Sequence, residues 1–289
     1  MKSLTKTVIL ALVLQAAIYL FLDRYLLVPE AAFVQQTISQ AQTESVDLSW
    51  MSSDQKYWAE VGETGVAFYG ADNQLVKEEP LLAEEEVTCF AWAPGSHLAL
   101  IATTQPEARG VTVTLKSVNV DFDNMPVEPK ISGLARESMI TAVAFSAQTN
   151  VTYLLISGPV TNMIYRTDAN NRLTRVLSNA NIKRIACLQS IDTLLLYNQA
   201  DKTIYTRKIK GFSKLSVPPE GKYALIGTDH NDFIYIGRLN YAGLVTEILQ
   251  GSINGDFTFY KAMIHPTEPE AIHVDYEGQL RIEMTSQII

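Results

Sequence analysis

The sequence predicts an all-β chain made of repeated antiparallel sheets, and three observations carry that prediction. A strand–turn–strand pattern recurs along the chain. A pair consisting of an apolar residue and a tyrosine follows it at a near-constant offset. Val, Ile, Thr and Tyr, which suit a pleated and half-buried surface, crowd the middle of the chain.

The clearest copy of the pattern is Thr88-Cys89-Phe90-Ala91-Trp92, then Ala93-Pro94-Gly95-Ser96-His97, then Leu98-Ala99-Leu100-Ile101. It reads as a buried strand, a tight polar turn and a second apolar strand. Aligned on the last apolar residue before the turn, the copies are anchored at Trp50, Trp92, Phe145, Leu188, Val217 and Ile264. The turns carry Pro, Gly, Asp or Asn, residues that preset or tolerate the backbone angles of a reversal. Phe68-Tyr69, Ile164-Tyr165, Ile204-Tyr205 and Ile234-Tyr235 then mark a third strand, 18, 19, 16 and 17 residues after their anchors. Leu75-Val76, Leu173 to Leu177 and Leu244 to Leu249 mark a fourth.

Four-stranded units at intervals of about 40–45 residues are the pattern of propeller blades. The expected fold is therefore a β-propeller of six four-stranded blades, with five as the alternative count. The anchors lie 42, 53, 43, 29 and 47 residues apart. The 53 reflects an insertion at Gln105 to Gly110. The 29 makes Phe212 to Val217 serve two blades at once. The last repeat lacks a fourth strand, and Phe33 to Gln40 is placed to supply it and close the ring.

The pattern Trp or Phe, then Ser or Ala-Pro, then a polar turn and an apolar strand resembles the repeat of WD40-like and TolB-like β-propellers, often F-S-P-D-G-x-x-L/I-A. Trp92-Ala93-Pro94-Gly95-Ser96-His97-Leu98-Ala99 and Val217-Pro218-Pro219-Glu220-Gly221-Lys222-Tyr223-Ala224 come nearest, and no Trp-Asp dipeptide is present. The resemblance implies a toroid with a central channel and binding faces built of loops. It implies no single activity.

The N-terminal stretch sets the expected location. Val8 to Leu22 carries no charge, and Thr7 to Val28 gives 22 residues of mainly apolar chain. That suffices for a tilted membrane span. Lys2 and Lys6 precede it, which keeps the N-terminus cytoplasmic and sends the remainder across. Pro29-Glu30-Ala31-Ala32 places Glu30 where a signal-peptidase site needs a small residue, so an uncleaved anchor is expected. The expected organisation is an anchor over 1–28, a spacer over 29–45 and a propeller over 46–289.

Charge excludes one class of partner. The net charge is −8, with all 31 acidic residues from Asp23 onward. Nucleic-acid binders need a basic surface. Cys89 and Cys187 read as two buried thiols rather than a disulfide framework.

Motifs for chemistry are few. Gly251-Ser252-Ile253-Asn254-Gly255 sets its serine one place too early for a nucleophile elbow. The four histidines, His97, His230, His265 and His273, are scattered, with His97 and His265 in repeat turns. Asp121 to Asn124 and Asp229 to Asp232 offer oxygens but do not complete a calcium loop. Glu78 to Glu86 reads as a solvated loop between blades. Gly62-Glu63-Thr64-Gly65 lacks the strand-to-helix setting of a phosphate loop. Asn150-Val151-Thr152 is a glycosylation sequon. Trp50, Trp58, Trp92 and the Ile-Tyr pairs keep a fixed offset from the turns, as core packing between blades requires.

The expectation is a membrane-anchored, extracytoplasmic propeller that binds an envelope protein or a small ligand, without catalysis, cofactor or metal. Two rivals are weighed against it. A propeller enzyme acting on a lactone or glycan would need carboxylates converging at the channel mouth. A sensory ectodomain would have to signal through a partner.

Overall fold

The computed structural model describes Gln15 and residues 51–122, 128–170, 172–179, 181–208 and 211–282. The expected membrane helix, the Phe33 to Gln40 strand and Trp50 lie outside the described residues. Of the chain's two compact units, Met1–Val46 and Asp47–Ile289, the second contains every sheet described below. Among the described residues no helix is long and apolar enough to cross a membrane.

Six sheets follow one another along the chain, each an antiparallel meander in sequence order. The first holds β1 (Tyr57–Val61), β2 (Gly65–Gly70) and β3 (Leu75–Pro80), with Met51 bridged to Trp58 on the inner side of β1. The second holds β4 (Glu86–Trp92), β5 (Leu98–Glu107), β6 (Gly110–Asn119) and β7 (Lys130–Leu134). The third holds β8 (Met139–Ser146), β9 (Val151–Ser157), β10 (Asn162–Thr167) and β11 (Thr174–Asn179). The fourth holds β12 (Ile182–Cys187), β13 (Leu194–Asn198), β14 (Thr203–Lys208) and β15 (Gly211–Lys214). The fifth holds β16 (Lys222–Thr228), β17 (Ile234–Leu239), β18 (Val245–Gly251) and β19 (Thr258–Thr267). The sixth is the pair β20 (Ile272–Val274) and β21 (Leu280–Ile282).

Each sheet packs face to face on the next, because alternate residues of its inner strands point to opposite neighbours. On β5, Ala99 and Ile101 meet Phe68 and Val66 of the first sheet, while Leu100 and Ala102 meet Leu154 and Ile156 of the third. The other face of the third sheet, with Tyr153 and Leu155, meets Leu194 and Leu196 of the fourth. Leu195 and Tyr197 of the fourth meet Leu225 and Ile236 of the fifth. Ile226, Tyr235 and Ile248 of the fifth enclose Ile272 of the sixth. Covered on both faces, the inner strands read as continuous apolar runs, as Tyr153 to Ile156 and Leu194 to Tyr197 do.

The series curves back on itself. Tyr276, in the turn of the last sheet, lies against Gly95 in the β4–β5 turn. A Cβ at Gly95, where φ is +64°, would stand 2.8 Å from the Tyr276 hydroxyl, so glycine is needed for the bend and for the contact. Serial antiparallel sheets, packed face to face and returning to their start, make this a β-propeller.

The repeat register differs from expectation in the last two sheets. The turn after each inner strand is closed by the N–H of Ser52, Ala93, Leu188, Asp229 and Asp275, with Ser146 in the same place by register. These positions lie 41, 53, 42, 41 and 46 residues apart, so the 29-residue interval vanishes. Trp92 ends β4, Phe145 is the penultimate residue of β8 and Leu188 directly follows β12, as anchors should. Val217 is not an anchor: it sits in the connection from β15 to β16, and Tyr223-Ala224-Leu225 belongs to an inner strand, not a second one. Ile264 is not one either. It lies in β19, outermost in its sheet, and is 92% exposed. His265 lies in that strand too, not in a turn. The insertion at Gln105 to Gly110 lengthens the β5–β6 hairpin, whose strands have ten residues each.

Candidate functional site

The inner strands surround a cavity of about 450 Å³. Ala91, Trp92 and Leu100 line it from the second sheet, Thr141 to Phe145 from the third and Lys183 to Cys187 from the fourth. Ile226, Gly227 and Thr228 of the fifth sheet, Glu270, His273 and Val274 of the sixth, and Pro94 and Gln189 from two inner turns complete the described lining.

The turn end of the cavity is held by hydrogen bonds between neighbouring sheets. Gln189 donates through Nε2 to the Phe145 carbonyl at 3.1 Å, and its side-chain oxygen accepts from Ala147 N–H. Its carbonyl accepts from the Ser146 hydroxyl at 3.0 Å. Asp232 of the fifth sheet caps Gln189 N–H at 2.5 Å and also accepts from the Ser190 hydroxyl. Asp229 accepts from the N–H of Asn231 and Phe233 and from Tyr235. The oxygens expected as a calcium candidate at Asp229 to Asp232 are therefore occupied by protein donors. His230 donates from Nδ1 to the Tyr276 carbonyl at 2.8 Å, the only direction a carbonyl permits.

The opposite end, where the inner strands begin, is charged. Arg184 donates from its terminal nitrogens to the carbonyls of Ile226 (2.9 Å), Ile272 (2.9 Å) and Glu270 (3.0 Å), so its guanidinium bolts the fifth and sixth sheets to the fourth. Lys183, beside it, is exposed. Glu270 and His273 face the same space from the last sheet. The lining cysteine, Cys187, is a free thiol, and burial pushes its pKa up, so it stays protonated and apolar in character. Cys89 is free too, and burial pushes it up to about 11.

The remaining sequence candidates are structural. His97 lies in the β4–β5 turn, as expected, and bridges two carboxylates there: its Nδ1 lies 2.5 Å from Asp121 and its Nε2 2.9 Å from Asp54. Asp121 also accepts from Tyr57 at 2.8 Å, so this carboxylate too is occupied; Asp123 and Asn124 lie outside the described residues. The glutamate run is only in part a solvated loop. Glu78, Glu84 and Glu86 are exposed, but Glu85 is buried because the Lys116 ammonium stands 3.1 Å away. Burial pushes the Glu85 carboxyl up. The Leu82 N–H, the Thr103 hydroxyl and Lys116 outweigh that and hold it below the usual range. Phe68, Phe90 and Trp92 form edge-on and tilted pairs between the first and second sheets, and Trp58 stacks on Tyr69. Among the described residues no cluster of three or more His, Cys, Asp or Glu is arranged to hold a metal.

Sequence reasoning missed the cavity residues. Lys183, Arg184, Glu270 and His273 share no motif and come from two separated strands. A signal did exist: five positions before the inner turn stands a polar residue, Thr88, Thr141, Lys183 or Glu270, in four of the sheets, though Ala224 takes that place in the fifth.

No protein-family model and no curated protein matches the chain. Solved structures do. The chain is similar to dipeptidyl peptidase 4 of Porphyromonas gingivalis at 11% identity and TM-score 0.49, covering 78% of this chain and 41% of that one. It is similar to the propeller domain of the Trilobed protease from Pyrococcus furiosus at 11% identity and TM-score 0.44, covering 67% and 60%. It is similar to a putative gluconolactonase at 11% identity and TM-score 0.43, covering 78% and 82%. At such identities these likenesses concern the fold and nothing more. The sheets and their cavity place the chain among β-propellers.

Proposed function

We propose that the chain is a membrane-tethered binding module. In this reading Thr7 to Val28 is the anchor, the propeller lies outside the cytoplasm, and the central cavity with its charged mouth contacts a small ligand or a segment of an envelope protein. The cavity carries the reading. Its volume, about 450 Å³, falls within the range of small-ligand sites, about 300–1,000 Å³, and its charged side chains, Lys183, Arg184 and Glu270, lie at one end.

Binding is favoured over turnover by the placement of the carboxylates. Glu270 is the one carboxylate side chain among the described lining residues. Acid–base hydrolysis of a glycan uses two facing carboxyl groups. The carboxylates with displaced titration, Asp54, Glu85, Asp121 and Asp256, are all displaced downward, and none lines the cavity. A base poised near neutrality is displaced upward.

The test is native mass spectrometry of the detergent-solubilised full chain, with and without Ala91→Phe to fill the cavity. A bound species lost in the variant, at unchanged melting temperature, is expected. Turnover of a lactone or glycan panel, abolished by the same variant, would replace binding with catalysis. Deletion of residues 7–28 should release the protein from membranes that resist alkaline carbonate; retention would end the anchor reading.

A further inference from the structure

In three successive inner strands the antiparallel register slips by one residue at the same place. The slips fall between Val87 and Cys89 in β4, Ile140 and Ala142 in β8, and Ile182 and Arg184 in β12. The extra residues are Thr88, Thr141 and Lys183. Each lies five positions before the residue that closes its inner turn, Ala93, Ser146 and Leu188. In the sixth sheet the position five before Asp275 is Glu270. The fifth sheet departs from the rule: its slip is at Ile226, and the position five before Asp229 is Ala224, which is fully buried.

A bulge frees one residue from the ladder and re-aims its side chain. Thr141, Lys183 and Glu270 all line the cavity. Two of the bulges thus put Thr141 and Lys183 on the cavity wall, and the short 3-10 turn Pro269–Ala271 puts Glu270 there, while Thr88 faces the Ala102 carbonyl instead. Two features give that wall a sign. Arg184 is fixed in place by carbonyl oxygens of the next two sheets, which hold its charge at the mouth. Lys183 lines the cavity, is exposed, and makes no hydrogen bond or ion pair among the described residues. An ammonium beside a guanidinium raises the potential at the mouth and favours an anion.

We propose that this mouth binds a small carboxylate ligand, with the ligand carboxylate on the Lys183 ammonium and on the Thr141 hydroxyl, which turns to it from its 3.4 Å contact with the Leu155 carbonyl. The proposal rests on the reading of the cavity as the binding site. Glu270, whose carbonyl receives the Arg184 guanidinium, accepts through its carboxylate a hydrogen bond from a hydroxyl or amino group of the ligand and disfavours a second carboxylate close by.

Calorimetric titration of the detergent-solubilised full chain with 3-hydroxybutyrate and with its uncharged analogue 3-hydroxybutanamide, at matched ionic strength, tests it. Saturable binding of 3-hydroxybutyrate and none of 3-hydroxybutanamide is expected. Lys183→Gln should weaken 3-hydroxybutyrate at least tenfold and Thr141→Val several-fold. Lys222→Gln, an exposed lysine outside the cavity, should change nothing. Equal binding of the two probes, or 3-hydroxybutyrate binding indifferent to Lys183→Gln, would overturn the proposal. If neither probe binds, native mass spectrometry separates the failures. A co-purifying species lost on Ala91→Phe or Thr228→Phe but kept in Lys183→Gln sinks the carboxylate assignment and leaves the cavity as the site. A chain with no bound species and no probe binding sinks both.

Discussion

The seam between the first two sheets and the seam between the fourth and fifth do the same mechanical job with different chemistry. The latter has an apolar centre, where Leu188, Leu195, Tyr197 and Ile204 meet Leu225, Ile234, Ile236 and Leu249, and the charges at its ends, Arg184 and Asp232, meet only carbonyl, N–H and hydroxyl groups across it. The former has an apolar centre of Phe68, Val66, Ala99 and Ile101, but charges stand on either side of it. On one, Lys116 lies 3.1 Å from Glu85, 3.6 Å from Glu79 and 3.2 Å from the Pro80 carbonyl. On the other, His97 sits between Asp54 and Asp121. Apolar burial is indifferent to pH and forgiving of direction. Paired charges demand a partner and a register, so they fix how the first sheet, described here with three strands, sits on the second.

The largest expected effect breaks the buried pair. Lys116 and Glu85 side chains are 4% and 3% exposed, so removing one leaves an uncompensated charge. Lys116→Ala should cost about 3–5 kcal/mol in denaturant unfolding. Replacing both, as Lys116→Met with Glu85→Leu, should restore most of that loss. If the single and double variants are equally unstable, the pair is not what holds this seam.

The matching change in the apolar seam is Leu195→Ala. Leu195 is fully buried, and the deletion should cost about 2–5 kcal/mol through lost transfer energy and the cavity left behind. Its cost should be the same from pH 5 to pH 9. A cost that follows pH would mean that a titrating group is coupled to the apolar centre of this seam as well.

The contrast also explains what could be read in advance. Sheets two to four were legible because their inner strands end in an aromatic or aliphatic anchor, Trp92, Phe145 or Leu188, followed by a turn of the right length. Sheets five and six were not. Val217-Pro218-Pro219-Glu220-Gly221 has the chemistry of an inner turn but connects two sheets, and Pro and Gly mark both kinds of reversal alike. Thr228 and Val274, which precede the true turns, are unremarkable next to them. Ile264 of β19 suggested the end of an inner strand, yet it is 92% exposed on the outermost one. Charged contacts were invisible for another reason. His97 meets carboxylates 24 and 43 residues away, and Lys116 meets one 31 residues away. The mouth of the cavity was hidden likewise, since a bulge is a property of two paired strands and Lys183 alone reads as a surface lysine.

A smaller effect concerns the return of the last sheet. Gly95→Ala places a Cβ against the Tyr276 hydroxyl and in a backbone region alanine disfavours. A loss of about 1–2 kcal/mol is expected, the left-handed conformation accounting for most of it. Gly95→Ala with Tyr276→Ala should recover the part due to the clash. No recovery would mean that the backbone angle alone requires glycine.

The smallest effect is the most diagnostic, because only the charged seam should show it. Hydrogen bonding to Asp54 raises the His97 pKa against a smaller opposing push from burial, with Asp121 adding to the rise. Burial pushes Asp54 up, but His97, Ser52 and the Lys56 N–H overcome it and bring it down to about 2. Lys56 lies 3.8 Å from Asp121, and the Tyr57 ring stands edge-on to the imidazole at 4.8 Å, so these four groups make the local field. Since the folded His97 binds its proton more tightly than the unfolded chain does, its contribution is complete below the ordinary histidine value of about 6.5. It fades as pH rises through the raised folded value. Asp54 has the opposite sign: its contribution is complete above the ordinary carboxylate range and fades as pH falls toward about 2. Both groups contribute together between those limits, and partial exposure keeps the effect small. Denaturant midpoints from pH 5 to pH 9 should fall with rising pH in the wild type and lose that slope in His97→Gln, whereas Leu195→Ala should keep the wild-type slope. A slope that survives His97→Gln would move the titrating group elsewhere and leave the two seams electrostatically alike.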